Sequence, residues 1–394
     1  MDKPFNKKNL RMKNGLVISK IRRSLLALPI GLIAGLWAET AVSQSPYEPR
    51  EVWDRTAETF NMSSFSYMDR NENGDYDLGD QPLAGIVFVL AKDGVERWRA
   101  TANENGFANF PGSRVVPGTA LYELGDYTFE ALIPEGWTVT SNNTLQTRRF
   151  IDVPGASMGG GLVEMMEPVG LVPQKSISGV LETEDKLMIS GPDFPLQEVA
   201  RDGNKFEVVV PRRGTYVLTA GDVSRTVEIA EFPVTLGTLK PGSGMEGAQS
   251  TLTFDDISAN WLRKVPSGYG GLKWFNINSI KNSFPSGSRG YVNGATSGSF
   301  VAYTSSGHPA SISHPDGFDF VQVNLAVAWP PAQGETAIFE FWRGDEKVAT
   351  DHVQLSAYAP VVYAPHMSNV TKVRVHTLHY WQMVMDDLVV GVRQ

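Results

Sequence analysis

Oxygen-bearing side chains recur through one acidic stretch, Asp69-Arg70-Asn71-Glu72-Asn73-Gly74-Asp75-Tyr76-Asp77-Leu78-Gly79-Asp80. They fall at loop positions 1, 3, 5, 9 and 12, with glycine at position 6. That spacing wraps a hard cation in carboxylate and amide oxygens, and the glycine permits the sharp turn. The candidate ligands for a calcium ion are Asp69, Asn71, Asn73, Asp75, Asp77 and Asp80. Position 12 is the shorter Asp80 where a bidentate Glu is usual, so weak affinity is expected. An acidic, solvated turn is the alternative reading.

Other combinations point away from catalysis. Gly155-Ala156-Ser157-Met158-Gly159 has the spacing of a hydrolase nucleophile elbow, which needs a strand before it and a helix after it. Pro154 precedes it and Gly160 and Gly161 follow, so a loop is expected. His376 and His379 fall three apart in a strand-like segment, which sends them to opposite faces and separates them as metal ligands. His308 and His314 each precede a proline, in extended loop. Arg343-Gly344-Asp345 sits where a hairpin turn between two strands accounts for it. The chain has no cysteine, hence no thiolate nucleophile, zinc–thiolate site or iron–sulfur cluster. With no triad, P-loop or large α/β domain in view, the expectation is a protein that is not an enzyme.

Short alternating strands must position these residues. Past residue 48 such strands are separated by clusters of Gly, Pro, Asn and Asp, and apolar spacings of three and four are almost absent. The clearest strands are 86–90, 206–210, 216–219, 321–328 and 337–341, and only residues 51–60 could pass for a short helix. Turn formers accumulate near residues 168–173 and in Pro241-Gly242-Ser243-Gly244, giving modules of 48–168, 170–240 and 249–394. Gly125-Asp126-Tyr127 and Gly214-Thr215-Tyr216 open matching phrases, which reads as a degenerate repeat of one sandwich type. The fold class expected is all-β, two Ig-like sandwiches followed by a jelly roll.

The N-terminus is built differently. Eight basic residues, from Lys3 to Arg23, precede an uncharged apolar run over 25–38, and Ala41-Val42-Ser43 offers small residues for cleavage. The run is shorter than the ~20 residues that cross a bilayer. Residues 1–43 are therefore expected to be a signal peptide, with an uncleaved anchor as the alternative. Their loss would move the net charge from −8 to about −14, which disfavours nucleic acid and anionic membranes. No later stretch of the sequence is long and apolar enough to span a membrane. The mature chain is thus expected to be secreted, extracellular or at the cell surface, with a periplasmic location as another possibility.

The acidic loop runs on through Gln81-Pro82-Leu83-Ala84-Gly85 into a strand, where an EF-hand would continue into a helix. With Thr101 to Phe110 and Gly125-Asp126-Tyr127 behind it, this resembles the SdrD B-like and Cna B-like repeats of bacterial surface proteins over residues 66–137. The resemblance implies a prealbumin-like sandwich used as a stalk or spacer. Some relatives carry a Lys–Asn isopeptide crosslink, for which no matching residues are found here.

Residues 252–390 resemble a carbohydrate-binding-module-like jelly roll of exported bacterial proteins, a galactose-binding-like domain. The likeness rests on Leu252-Thr253-Phe254-Asp255-Asp256, Gly268 to Trp274, Gly290 to Gly294 and Met385-Asp386-Asp387-Leu388. In a jelly roll the first and last strands pair, which brings Asp255, Asp256, Asp386 and Asp387 near one another. Their repulsion calls for a counter-ion such as a structural calcium. Alternatively, one Asp of each pair faces outward and the other caps a turn. Sugar rings stack on aromatic faces and Asn or Asp binds their hydroxyls. Tyr269 and Trp274, in a Gly-rich loop with Asn276 and Asn278 behind, are the expected surface ligands, although most aromatics of the module should fill its core.

The function expected from sequence is an exported non-catalytic binding or adhesion protein. It would recognise a polysaccharide or other glycan through the jelly roll, with calcium-stabilised spacers. The alternative is a structural component of a cell-surface or extracellular matrix layer that works through contacts with surface-layer proteins. A glycan hydrolase or lyase using the carboxylate pairs is the remaining reading.

Overall fold

The computed structural model describes residues 60–154, 160–162, 164–239, 248–257, 260–283 and 289–392. The N-terminal signal, the helical reading of 51–59, the Ser157 motif and the Pro241–Gly244 joint lie outside them. Within them the chain is all-β, and no helix is long and apolar enough to cross a membrane. A short α-helix, Arg289–Asn293, occurs where none was expected.

The first sandwich opposes two sheets. In one, Phe60–Met68 is flanked by Gln81–Pro82, Phe107–Gly112 and Val169–Pro173, and Trp137–Val139 follows at the edge. The other runs Val95–Thr101, Val87–Lys92, Gly125–Leu132, Leu145–Asp152 and Gly160–Leu162. Alternation explains the packing: in Gly125–Leu132, Tyr127, Phe129 and Ala131 are buried while Asp126, Glu130 and Leu132 face water. Phe88, Phe110, Phe129 and Phe150 fill the space between the sheets.

The second sandwich, Ser176–Leu239, is smaller and repeats one device of the first. Gly125 and Gly214 open their strands at φ of +121° and +140°, a backbone that side chains rarely adopt. Two residues on, the buried Tyr127 donates its hydroxyl to Glu123 O at 2.9 Å, and Tyr216 to Arg212 O at 2.8 Å. Each tyrosine thus ties its strand back to the preceding loop, which gives the Gly-x-Tyr repeat its physical basis.

The jelly roll turns on the long strand Ala310–Val327. Its first half pairs with Lys273–Phe275 and Met367–Thr377, and its second half with Val361–Tyr363 and Met383–Val392. Thr336–Arg343 and Glu346–Gln354 extend the first layer as a hairpin turning through Gly344 and Asp345. The first strand of the module, Gln249–Leu252, lies antiparallel to the last. Phe318, Phe320, Phe339, Phe341 and Tyr363 anchor the core.

These modules do not sit as beads on a string. Val234–Leu239 of the second sandwich pairs in parallel with Val361–Tyr363, so one sheet runs on into the jelly roll. At that seam the buried Asp351 accepts hydrogen bonds from Thr238 N (3.2 Å), Thr238 Oγ1 (2.8 Å) and Tyr363 Oη (2.7 Å). The buried Asn293 joins the first sandwich to the jelly roll: it accepts from Ala84 N and donates to Ala84 O and Ala357 O. These pairings and hydrogen bonds link the three modules into one continuous body.

Candidate functional site

The acidic loop lies at the junction of the first two sandwiches. Asp69 is fully buried, and its carboxylate accepts from the backbone N–H groups of Glu72 (2.7 Å), Asn73 (3.3 Å) and Gly74 (2.8 Å). Asp80 accepts from Arg70 N and Asp77 N, which closes the loop on itself. Asn71 and Asn73 both reach Asp77, at 3.0 and 2.8 Å. Asn71, Asn73 and Asp77 therefore form a linked set of side chains, with Asp69 tied to the loop backbone, while Asp75 is exposed and bonds Asn73 Oδ1 through its own backbone N–H. Among the described residues, no three Asp, Glu or His side chains converge as a metal cluster.

Beside the loop stands a fully buried Tyr67 whose hydroxyl has no hydrogen-bond partner, as has Thr140 Oγ1. Both oxygens crowd the same glycine, Gly170, where an added Cβ would meet each at 2.6 Å. Burial, and then the charges of Asp69, Asp80, Asp75 and Asp77, push the Tyr67 hydroxyl up to about 12. Oxygen donors with two unsatisfied hydroxyls beside them fit a hard cation or a water bound with it. The flanking residues grip the second sandwich. Arg70 makes two hydrogen bonds to Glu231, Lys175 reaches Glu72 at 2.7 Å, and Arg213 holds both Glu72 and Arg70 O.

The second acidic set is arranged around the segment 296–300. Asp255 accepts from Ser299 N and Phe300 N. Asp386, fully buried, accepts from Thr296 N and Ser297 N, while Asp387 accepts from the hydroxyls of Thr296 and Ser297. Burial, and then the adjacent Asp387 charge, raise Asp386 to about 7. The pairing of first and last strands is as expected. Asp255 and Asp386 cap backbone N–H groups of this segment and Asp387 its hydroxyls, so loop donors reach three of the four carboxylates.

Of the expected sugar-stacking pair, Trp274 is buried and Tyr269 half-buried. Trp274 is 7% exposed, packs edge-on to Phe254 and donates its ring N–H to Tyr269 O. Tyr269 packs against the same core, and its hydroxyl accepts from Phe254 N at 3.0 Å. Asn276, at φ +58°, directs its amide at the carbonyls of Ser305, His308 and Pro309, and Asn278 lies opposite Tyr303 in the strand pairing. Trp274, Tyr269 and Asn276 thus make hydrogen bonds within the module. Strand parity buries Trp274: in Lys273-Trp274-Phe275 the tryptophan turns inward and its neighbours turn out.

A different aromatic group is presented instead. Phe275 is 63% exposed and Tyr380 62%, and Trp381 is partly exposed. The exposed His308 packs on Tyr380 with ring centroids 5.4 Å apart, and its carbonyl is held by Asn276, next to Phe275. His308 and Tyr380 thus sit together, and the Asn276 amide ties the His308 loop to the strand that carries Phe275. Only the phase of burial along Lys273–Phe275 and the turn after Thr377 separate these rings from the buried ones. The sequence signals the aromatic types but not that phase.

No protein-family model matches the chain, and no curated protein matches it. Among solved structures it is similar to the shaft pilin SpaA of Lactobacillus rhamnosus GG, at 14% identity and a TM-score of 0.22, over 47% of this chain and 100% of the pilin. It is also similar to the CBM22-1 xylan-binding domain from a Paenibacillus barcinonensis protein, at 11% identity and TM-score 0.24, over 38% of this chain and 97% of that domain. A streptococcal ancillary pilin gives 14% identity and TM-score 0.22, over 48% of this chain and 64% of the pilin. At these TM-scores the likenesses carry no argument about what this chain binds.

Proposed function

We propose that the protein is an exported, non-catalytic binding or adhesion protein whose jelly roll recognises glycan through Phe275, His308, Tyr380 and Trp381. The observation that carries this reading is the exposure of those rings in a module whose other large aromatics are mostly packed away. Exposed flat rings stack on the C–H faces of sugars. The basic and then apolar N-terminal sequence supports export. The carboxylates of Asp386 and Asp387 are occupied by loop donors, which disfavours their use as an acid–base pair.

Calcium belongs to the same proposal. Asp69, Asn71, Asn73 and Asp77 would hold it at the first junction, with Asp80 shaping the loop and the ion neutralising its acidic side chains. Extracellular calcium fills sites with dissociation constants on the order of 10⁻⁴ to 10⁻³ M. The Asp255 and Asp386–Asp387 region is a second, weaker candidate. Affinity electrophoresis of the mature protein through a broad polysaccharide panel tests the glycan reading, and Phe275→Ala with Tyr380→Ala should abolish retardation. Retardation by none of the panel would overturn it. A second reading, a load-bearing component of a surface layer, is favoured by the buried locks between modules. Calcium-dependent self-assembly without glycan binding would select it.

A further inference from the structure

The solvent face of the layer that ends at Phe275 carries a charge pattern opposite to that of the whole chain. Five strands form this layer: Lys273–Phe275, the first half of Ala310–Val327, Met367–Thr377, Thr336–Arg343 and Glu346–Gln354. Trp274, Ile312, Val373, Val375, Phe339 and Phe341 point into the core, so the residues alternating with them face out. The pairing register places Lys273, Ser313, Lys372, Trp342 and Lys347 in one row across all five strands. The next row is Phe275, Ser311, Arg374, Glu340 and Thr350. A row of five strands at about 4.8 Å spacing is roughly 19 Å long.

Glu340 is the one acid of these two rows, and it is already held by Lys347 and Arg374, both at 3.1 Å. Lys273 and Lys372 have no acidic partner among the described residues. The rim hairpin adds Arg343 against Asp345 and Glu346, which leaves the face net positive on a chain of net charge −8. Two ring nitrogens on this face, Trp342 Nε1 and His376 Nδ1, are covered by their neighbours and have no hydrogen-bond partner.

We infer that this face is a binding site for an anionic polysaccharide, one bearing carboxylates or sulfates along its length. Its acidic groups would meet Lys273 and Lys372, its hydroxyls Ser311 and Ser313, and one sugar face the exposed Phe275 ring. The inference rests on the reading of the jelly roll as a glycan-binding module and names the class of glycan. Nucleic acid fits less well, since the rest of the chain is acidic and repels it over a longer range.

The test is affinity electrophoresis and calorimetry of the mature protein with polygalacturonate, chondroitin sulfate, neutral dextran, neutral xylan and single-stranded DNA. The expected result is binding to one or both acidic polysaccharides at least tenfold tighter than to the neutral ones, weakening as salt rises. Lys273→Glu with Lys372→Glu should reduce that affinity at least tenfold while leaving any binding of neutral glycan unchanged. Lys273→Gln with Lys372→Gln serves if the charge reversal lowers the melting temperature. Equal binding of neutral and acidic glycans, or full binding by the lysine variants, overturns the inference and leaves the glycan reading standing. DNA bound as tightly as the acidic glycans also overturns it, as charge attraction without a sugar site. Binding of none of the polysaccharides overturns both.

Discussion

Replacing Asp351 with alanine tests how the second sandwich and the jelly roll hold together. The carboxylate is 4% exposed and accepts three hydrogen bonds, two from Thr238 and one from the fully buried Tyr363 hydroxyl. Gly237, at φ +65°, lets the chain pass so close that a Cβ there would meet Asp351 Oδ2 at 2.1 Å. Alanine leaves the Tyr363 hydroxyl and the Thr238 N–H without an acceptor, at about 1–3 kcal/mol for each stranded group. A loss of about 2–6 kcal/mol is therefore expected. Asp351→Asn keeps one acceptor oxygen but turns an N–H₂ toward a donor, and about half that loss should follow. Urea denaturation followed by tryptophan fluorescence measures both. Since the sheet is continuous across this seam, Asp351→Ala should also split a single transition into two. A loss below about 1 kcal/mol for the alanine variant, with one transition retained, would refute the argument that this carboxylate holds the seam.

Asn293→Ala removes the three hydrogen bonds that link Ala84 and Ala357, and should destabilise by about 2–5 kcal/mol in the same assay, whereas the exposed Asn105→Ala should change little. Burial of His366, then the charge of Arg225 from the second sandwich, lower its pKa from 6.5 to about 4. A depressed histidine contributes stability that is present above pH 6.5 and lost as pH falls toward about 4, because the unfolded chain then binds the proton more tightly. The melting temperature of the wild type should fall across that window more than that of His366→Gln. Millimolar calcium should raise the wild-type melting temperature relative to chelator, and Asp69→Ala should abolish that rise. Equal melting temperatures with and without calcium would defeat the metal assignment.

Several features were legible in the residues alone. Alternating strands and turn clusters give an all-β chain, and the Gly-x-Tyr phrases of Tyr127 and Tyr216 mark two sandwiches with the same hydroxyl-to-loop tie. The hairpin at Gly344 follows from turn chemistry between two strands. Helix Arg289–Asn293 was not legible, since five residues carry too little periodicity to register.

What the sequence determined by itself is the type and period of these elements, together with the acidic loop and its oxygen spacing. A period of two leaves the phase open, because shifting by one residue exchanges every buried side chain for an exposed one. Packing against Phe254 decided that Trp274 goes in and that Lys273 and Phe275 go out, and so moved the candidate glycan surface from one ring to its neighbour. Contacts between remote residues were likewise decided only by the tertiary structure. Nothing local to Ala84 announces Asn293, 209 residues away, or to Thr238 announces Asp351. Those pairs exist because three cores pack against one another, and a buried polar group must then find its partner wherever the fold brings one.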